Sequence, residues 1–244
     1  MRTPWTRDEL IEVLKLYCRT PFGRLHSRNP DITRLAEVIG RTPGAIALKA
    51  VNFASMDPTI ERKGMSNASA LDREVWKSFF DNLDTLIDEP RAMREGRGFT
   101  DVTNQEFDAT FPEGADVSRF VKTRKNQGFF RDMVLASYDC KCAVSGISEI
   151  ELLNASHIVP WRLNSGARTN PRNGICLNAL HDRAFDRGFI SFDEDLKLIY
   201  SPKLSRGVRE KMEGLGGNSL TLPSRFRPDP TFLEYHRTKF FQQS

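Results

Sequence analysis

The sequence predicts an α+β protein, with an N-terminal helical region of helix-turn-helix-like pattern followed by a C-terminal module of paired strands around one short helix. Three observations carry that expectation. Apolar residues recur at helical spacing through residues 1–83. A β-prone stretch at 152–159 and an apolar run at 175–177 lead directly into a compact helical segment. Two further apolar runs, 189–192 and 196–200, flank an Asp193-Glu194 turn and read as a hairpin.

The elements follow in order. Trp5-Thr6-Arg7-Asp8-Glu9 offers a capping box, Thr6 to Glu9, ahead of a helix bearing Leu10, Ile11, Val13, Leu14 and Tyr17. A second helix runs from Asp31 with Ile32, Leu35, Ala36 and Ile39 inward and stops at Gly40. Pro43 suits the first turn of a third helix reaching Phe53. Two short helices across a glycine turn suggest a DNA-reading pair, with Arg41, Thr42, Lys49 and Asn52 as candidate contacts; a plain three-helix bundle is the alternative. Leu71, Val75, Trp76, Phe79, Phe80 and Leu83 mark one more amphipathic helix. From 88 the chain turns acidic and Gly/Pro-punctuated, so the expected division is 1–87 helical, 88–117 linker and 118–244 second domain. A helix is expected over 129–138, then a strand ending at Pro160-Trp161. A polar loop leads to the turn dipeptide Asn173-Gly174, the strand Ile175-Cys176-Leu177, and a helix from about Asn178 to Asp186 stopped by Gly188.

Composition sets outer limits. With 39% hydrophobic and 28% charged residues the chain has globular rather than disordered composition. No apolar run approaches the ~20 residues that span a bilayer, and Met1 to Trp5 lacks the apolar stretch of a secretory signal. A cytoplasmic protein with no membrane partner is expected. The four cysteines, Cys18, Cys140, Cys142 and Cys176, read as reduced thiols; a zinc module of Cys140, Cys142, Cys176 and His181 is the alternative. The net charge of +4 conceals a pattern: residues 61–117 carry 7 basic and 13 acidic side chains, whereas 118–188 carry 11 and 6. A basic region of that kind suits a polyanion.

Between Cys142 and Gly188 several motifs occur in a fixed order: Cys142-Ala-Val-Ser-Gly146, Ala155-Ser-His-Ile-Val-Pro-Trp161, Asn170-Pro-Arg-Asn-Gly174 and Leu180-His-Asp-Arg-Ala-Phe-Asp-Arg-Gly188. Together they resemble the HNH endonuclease family of the ββα-metal fold, most closely over about 120–201. A weaker similarity, Ile39 to Pro43, Asn52 to Pro58 and Phe232 to Arg237, resembles segments that accompany such modules in bacterial restriction and defence proteins. The resemblance implies a metal-dependent endonuclease acting on double-stranded DNA, in restriction or anti-phage defence. A DNA-binding regulator retaining an inactive nuclease fold is the rival reading.

It also assigns roles. His157 matches the general base, and an imidazole that titrates near neutrality suits that task. Asn173 matches the middle letter and would orient the loop. His181 matches the third letter, a ligand for a divalent ion, Mg²⁺ or Mn²⁺ first and Ni²⁺ or Zn²⁺ as alternatives. Many members place Asp, Glu or His before the base; here Ser156 stands there, leaving Asp182 or Asp186 to supply a carboxylate. Arg162, Arg168, Arg172, Arg183 and Arg187 cluster around the motif as candidate phosphate contacts. One site per chain implies nicking or a homodimer.

Overall fold

Described here by a computed structural model, the chain is traced over residues 3–60, 67–81, 116–161, 163 and 165–242. It divides into two units: a helical one running to Phe129, and a second comprising Arg19–Phe22, Asp57–Glu61 and Phe130–Ser244. The expected acidic linker lies outside the described residues apart from 116 and 117, which are helical. So does Arg162.

In the helical unit α1 spans Arg7–Arg19, α2 Pro30–Ile39, α3 Pro43–Ala54 and α4 Ala70–Asp81. Their ends follow the capping chemistry of the sequence. The Glu9 carboxylate accepts from the Thr6 N–H (2.9 Å) while the Thr6 hydroxyl accepts from the Glu9 N–H (3.3 Å). Asn29 caps α2, Gly40 ends it at φ +69°, and Thr42 caps α3. Leu10, Leu14, Tyr17, Ile32, Ile46, Phe53 and Val75 form the interior. Trp76 lies against Tyr17 and Phe53, with ring centroids 6.2 and 6.3 Å away.

The two short helices expected across a glycine turn are present as α2 and α3, but Arg41 and Lys49, expected to read DNA from them, are engaged inside the unit. The Arg41 guanidinium donates to both Glu9 carboxylate oxygens (3.1 and 2.8 Å) and to the carbonyls of Thr3 and Pro4. Lys49 donates to both oxygens of Asp72, itself wholly buried. Asn52 is 4% exposed. Thr42 spends its hydroxyl on the helix cap. Arg41 and Lys49 would have to give up charge-assisted bonds before meeting a base, and Asn52, whose Oδ1 has no hydrogen-bond partner, would have to leave the interior.

A long helix, α5, spans Asp116–Ser137 and contributes to both units. It starts well before the expected Phe129, because its first half is polar and basic with no apolar stripe to flag it.

The second unit is built on β1 (Leu153–His157) and β2 (Gly174–Asn178), paired antiparallel with Leu153 opposite Asn178 and His157 opposite Gly174. Every residue of β2 is buried, which is why it reads as a continuous apolar run. Helix α6 (Ala179–Asp186) follows at once and ends before Gly188. At φ +70°, and with the Phe240 carbonyl where a Cβ would sit, that position accepts only glycine. Strands β3 (Ile190–Phe192) and β4 (Leu198–Tyr200) form the expected hairpin, and α7 (Arg206–Gly214) and α8 (Pro230–Lys239) complete the unit. Phe130, Val134, Leu153, Ile158, Ile175, Leu177, Phe185, Ile190 and Phe192 make the core beneath the first hairpin. Among the described residues no helix is long and apolar enough to cross a membrane.

Candidate active site at the end of the first hairpin

The β1–β2 register fixes His157 at the loop end of the hairpin, opposite Gly174. The Phe130 ring stacks on the imidazole (centroids 4.0 Å, planes 12° apart), and Trp161 meets it edge-on (5.5 Å, 88°). This stacking explains Gly174: a Cβ there would lie 2.9 Å from Phe130 Cζ and closer still to Val134 Cγ2. His157 Nε2 is 2.9 Å from the Arg168 carbonyl oxygen. A carbonyl can only accept, so Nε2 carries the proton and Nδ1 holds the lone pair. Burial lowers the proton affinity of the ring; the Arg168 carbonyl and the charges of Asp182 and Asp186 oppose this without cancelling it, so its pKa falls below the ordinary 6.5. The imidazole is neutral at physiological pH.

Asn173, 1% exposed, ties down the loop that returns from His157. Its amide donates to the carbonyls of Val159 (3.0 Å) and Ala167 (3.1 Å), and its Oδ1 accepts from the Val159 N–H (2.8 Å). All four hydrogen bonds open to the side chain cannot be met in so tight a loop, but three are, and the carbonyl next in sequence to Ala167 is the one that holds His157.

His181 is placed differently from expectation. It is fully buried on the inner face of α6, with Ala184 and Phe185. Asn178 Oδ1 accepts the N–H groups of Leu180 and His181, so its Nδ2 must be the group that donates to His181 Nδ1 (2.8 Å). With Nδ1 accepting, the neutral ring protonates Nε2, which is buried without a hydrogen-bond partner. For Nε2 to bind a metal the ring proton would have to sit on Nδ1, where the Asn178 amide donates in this arrangement. His181 here lies in the core at the cap of α6.

The opposite face of α6 presents Asp182 and Asp186, one helical turn apart. Asp182 Oδ2 accepts from Asn154 Nδ2 (2.8 Å), and both carboxylates lie close enough to raise the proton affinity of His157. The sequence signal was available: positions 181, 184 and 185 mark an inner face at helical spacing, leaving 182 and 186 together on the outer one. Ser156 is 4% exposed beside them in β1 sequence order, a neutral hydroxyl rather than a charged donor.

Of the arginines, Arg183 and Arg187 are exposed and in no ion pair among the described residues. Arg172 pairs with Asp229 (3.1 Å). Arg168 Nε donates to the Trp161 carbonyl (2.9 Å) and its guanidinium lies 5.4 Å from the Trp161 ring centroid.

The cysteines do not assemble a zinc module. Among the described residues no group of three or more His, Cys, Asp or Glu could hold a metal ion. Cys142 Sγ lies 3.9 Å from His181 Nδ1. Burial pushes this thiol up, but the adjoining His181 ring together with hydrogen bonds from Ser145 and the local backbone outweighs it and brings the pKa to about 6. For Cys176 burial dominates and drives it to about 12. None of the four cysteines forms a disulfide.

A hairpin end bearing a neutral, oriented histidine, an asparagine-locked return loop and a short helix with outward carboxylates is the geometry against which the comparisons fall. Residues 142–193 match the HNH endonuclease family. The HNH segment thus runs from Cys142 through β1, β2 and α6 to Asp193, about a fifth of the chain, and includes His157, Asn173, Asp182 and Asp186. No curated protein matches the chain.

Proposed function

We propose that this chain is a metal-dependent endonuclease that hydrolyses phosphodiester bonds in double-stranded DNA, in restriction or anti-phage defence. The observation that carries the reading is the His157 imidazole: stacked on Phe130 and bonded at Nε2, it keeps Nδ1 available to take a proton from water. A depressed pKa keeps that nitrogen unprotonated at neutral pH, as a base requires. Asn173 supports this indirectly by fixing the loop from which the Arg168 carbonyl projects.

Mg²⁺ or Mn²⁺ would be held by Asp182 and Asp186, whose hard oxygens suit such ions, with Asn154 orienting the first. Bound there, the ion would stabilise charge on the scissile phosphate and the departing oxygen. With only two carboxylates from the protein, the rest of the coordination is left to water and phosphate, so the ion is expected to bind more tightly in the presence of DNA. Arg183 and Arg187, exposed beside these carboxylates in sequence, are proposed phosphate contacts; Arg172 joins them if its pair with Asp229 yields. The helical unit is proposed to add DNA affinity through exposed Arg24, Arg28 and Arg34 rather than through base reading by α3. Cleavage of duplex DNA by one site per chain gives nicks, or double-strand breaks when two chains act together.

The test is incubation of plasmid DNA with the full chain and Mg²⁺, Mn²⁺, Ni²⁺ or Zn²⁺, beside His157→Ala. Loss of a general base costs roughly 10²- to 10⁴-fold in rate, with DNA affinity retained. Cleavage by a folded His157→Ala protein at the wild-type rate would remove His157 from the reaction. DNA binding without cleavage under every metal would favour an inactive regulator instead.

A further inference from the structure

We infer that the Arg168 side chain is a positioning residue for His157 rather than a phosphate contact, an inference that rests on the nuclease reading above. Three groups close a ring. His157 Nε2 donates to the Arg168 carbonyl (2.9 Å), Arg168 Nε donates back to the Trp161 carbonyl (2.9 Å), and Trp161 meets the His157 ring edge-on at 5.5 Å. The guanidinium lies 5.4 Å from the Trp161 ring centroid.

The direction of the Arg168 carbonyl decides which imidazole nitrogen is protonated. That carbonyl sits in a loop, and loops hold a direction only when their own bonds fix it. One side of the peptide is anchored by Asn173 through the Ala167 carbonyl (3.1 Å), and Thr169 on the other side is 5% exposed. The Arg168 side chain supplies a further tie, folding back across the loop to the residue that also flanks the imidazole. Its directional Nε–H is thereby committed to backbone and one guanidinium face to indole. Lysine cannot reproduce this, since an ammonium lacks both the planar donor and the stacking surface.

Arg168→Lys and Arg168→Met separate positioning from charge. In full-length protein with duplex DNA and saturating Mn²⁺, both variants are expected to lose kcat by a similar factor, about ten- to a hundredfold as for a misplaced catalytic group. KM for DNA and the salt dependence of binding should stay at wild-type values. Histidine ¹⁵N spectra of the metal-free proteins give a readout apart from activity: wild type should show His157 as the Nε2–H tautomer, and both variants a mixture. The inference is overturned if Arg168→Lys keeps wild-type kcat and tautomer while Arg168→Met raises KM and lowers the salt slope by about one, the signature of a lost phosphate contact. Wild-type behaviour in both variants also overturns it. Should Arg168→Met fail to fold, Arg168→Lys alone decides through kcat and tautomer. If wild type cleaves under no metal yet the tautomer shifts in both variants, the nuclease reading fails and the positioning role stands.

Discussion

At the scale of single residues, the site works by assigning each nitrogen and oxygen one duty. His157 has one nitrogen bonded and one available; Asn178 uses both ends of its amide to cap α6 and pin His181. The pH dependence follows from the first. Because His157 must be neutral to act and its pKa is lowered, the acid limb of kcat/KM should fall below pH 6.5, measurable with saturating metal at each pH. A limb above 6.5 would mean that the nearby carboxylates outweigh burial. The second separates metal binding from folding. Asp182→Asn and Asp186→Asn should raise the Mn²⁺ concentration needed for half-maximal rate with little change in melting temperature. His181→Ala should instead lower the melting temperature, since it empties a fully buried position and strands the Asn178 amide, at about 1–3 kcal/mol for an unsatisfied buried polar group. A His181→Ala protein that melts normally but needs more metal would restore His181 as a ligand.

At the scale of elements, the β1–β2 hairpin is positioned by what lies under its loop end. Gly174→Ala should push Phe130 and Val134 away from the strand, disturb the stack on His157 and lower both melting temperature and rate; overpacking of this kind costs about 1–3 kcal/mol. Unchanged melting and rate would show that α5 yields freely. The helices α1 to α4 and both hairpins were legible because their signals are local: Thr6 with Glu9, Gly40, Pro43, Asn173-Gly174, Gly188. Two elements were not. The first half of α5 has no apolar stripe, and α7 buries only Met212, holding its outer face by the pairs Arg206–Glu210 and Arg209–Glu213. His157 and Asn173 could be placed from the motif, whereas the ligand was aligned on His181 although its helical spacing with Ala184 and Phe185 already marked the inner face of α6. Arg41, Lys49 and Asn52 misled for a related reason: a polar side chain on a short helix looks alike in sequence whether its partner is DNA or a carboxylate such as Glu9 or Asp72.

At the scale of the whole molecule, stability and its pH dependence rest on further buried groups. His236 on α8 is 2% exposed, stacked on Phe185 (3.7 Å), its Nε2 donating to the Phe185 carbonyl and its Nδ1 accepting from the Ser191 hydroxyl. Burial depresses its pKa to about 4. Below about 6.5 the unfolded chain takes up a proton that the folded chain refuses, so stability should fall from pH 6.5 to about 4 and then stop falling through this group. His236→Gln should flatten that part of a plot of melting temperature against pH; an unaltered slope would assign it to other groups. Arg225, wholly buried, donates to the Thr20 carbonyl, and the Asp57 carboxylate accepts from the Phe226 N–H. Two short stretches early in the chain are thus structural members of the second unit. The second unit is therefore not one contiguous stretch of sequence: a cut anywhere between Phe22 and Phe130 would part some of its fabric from the rest.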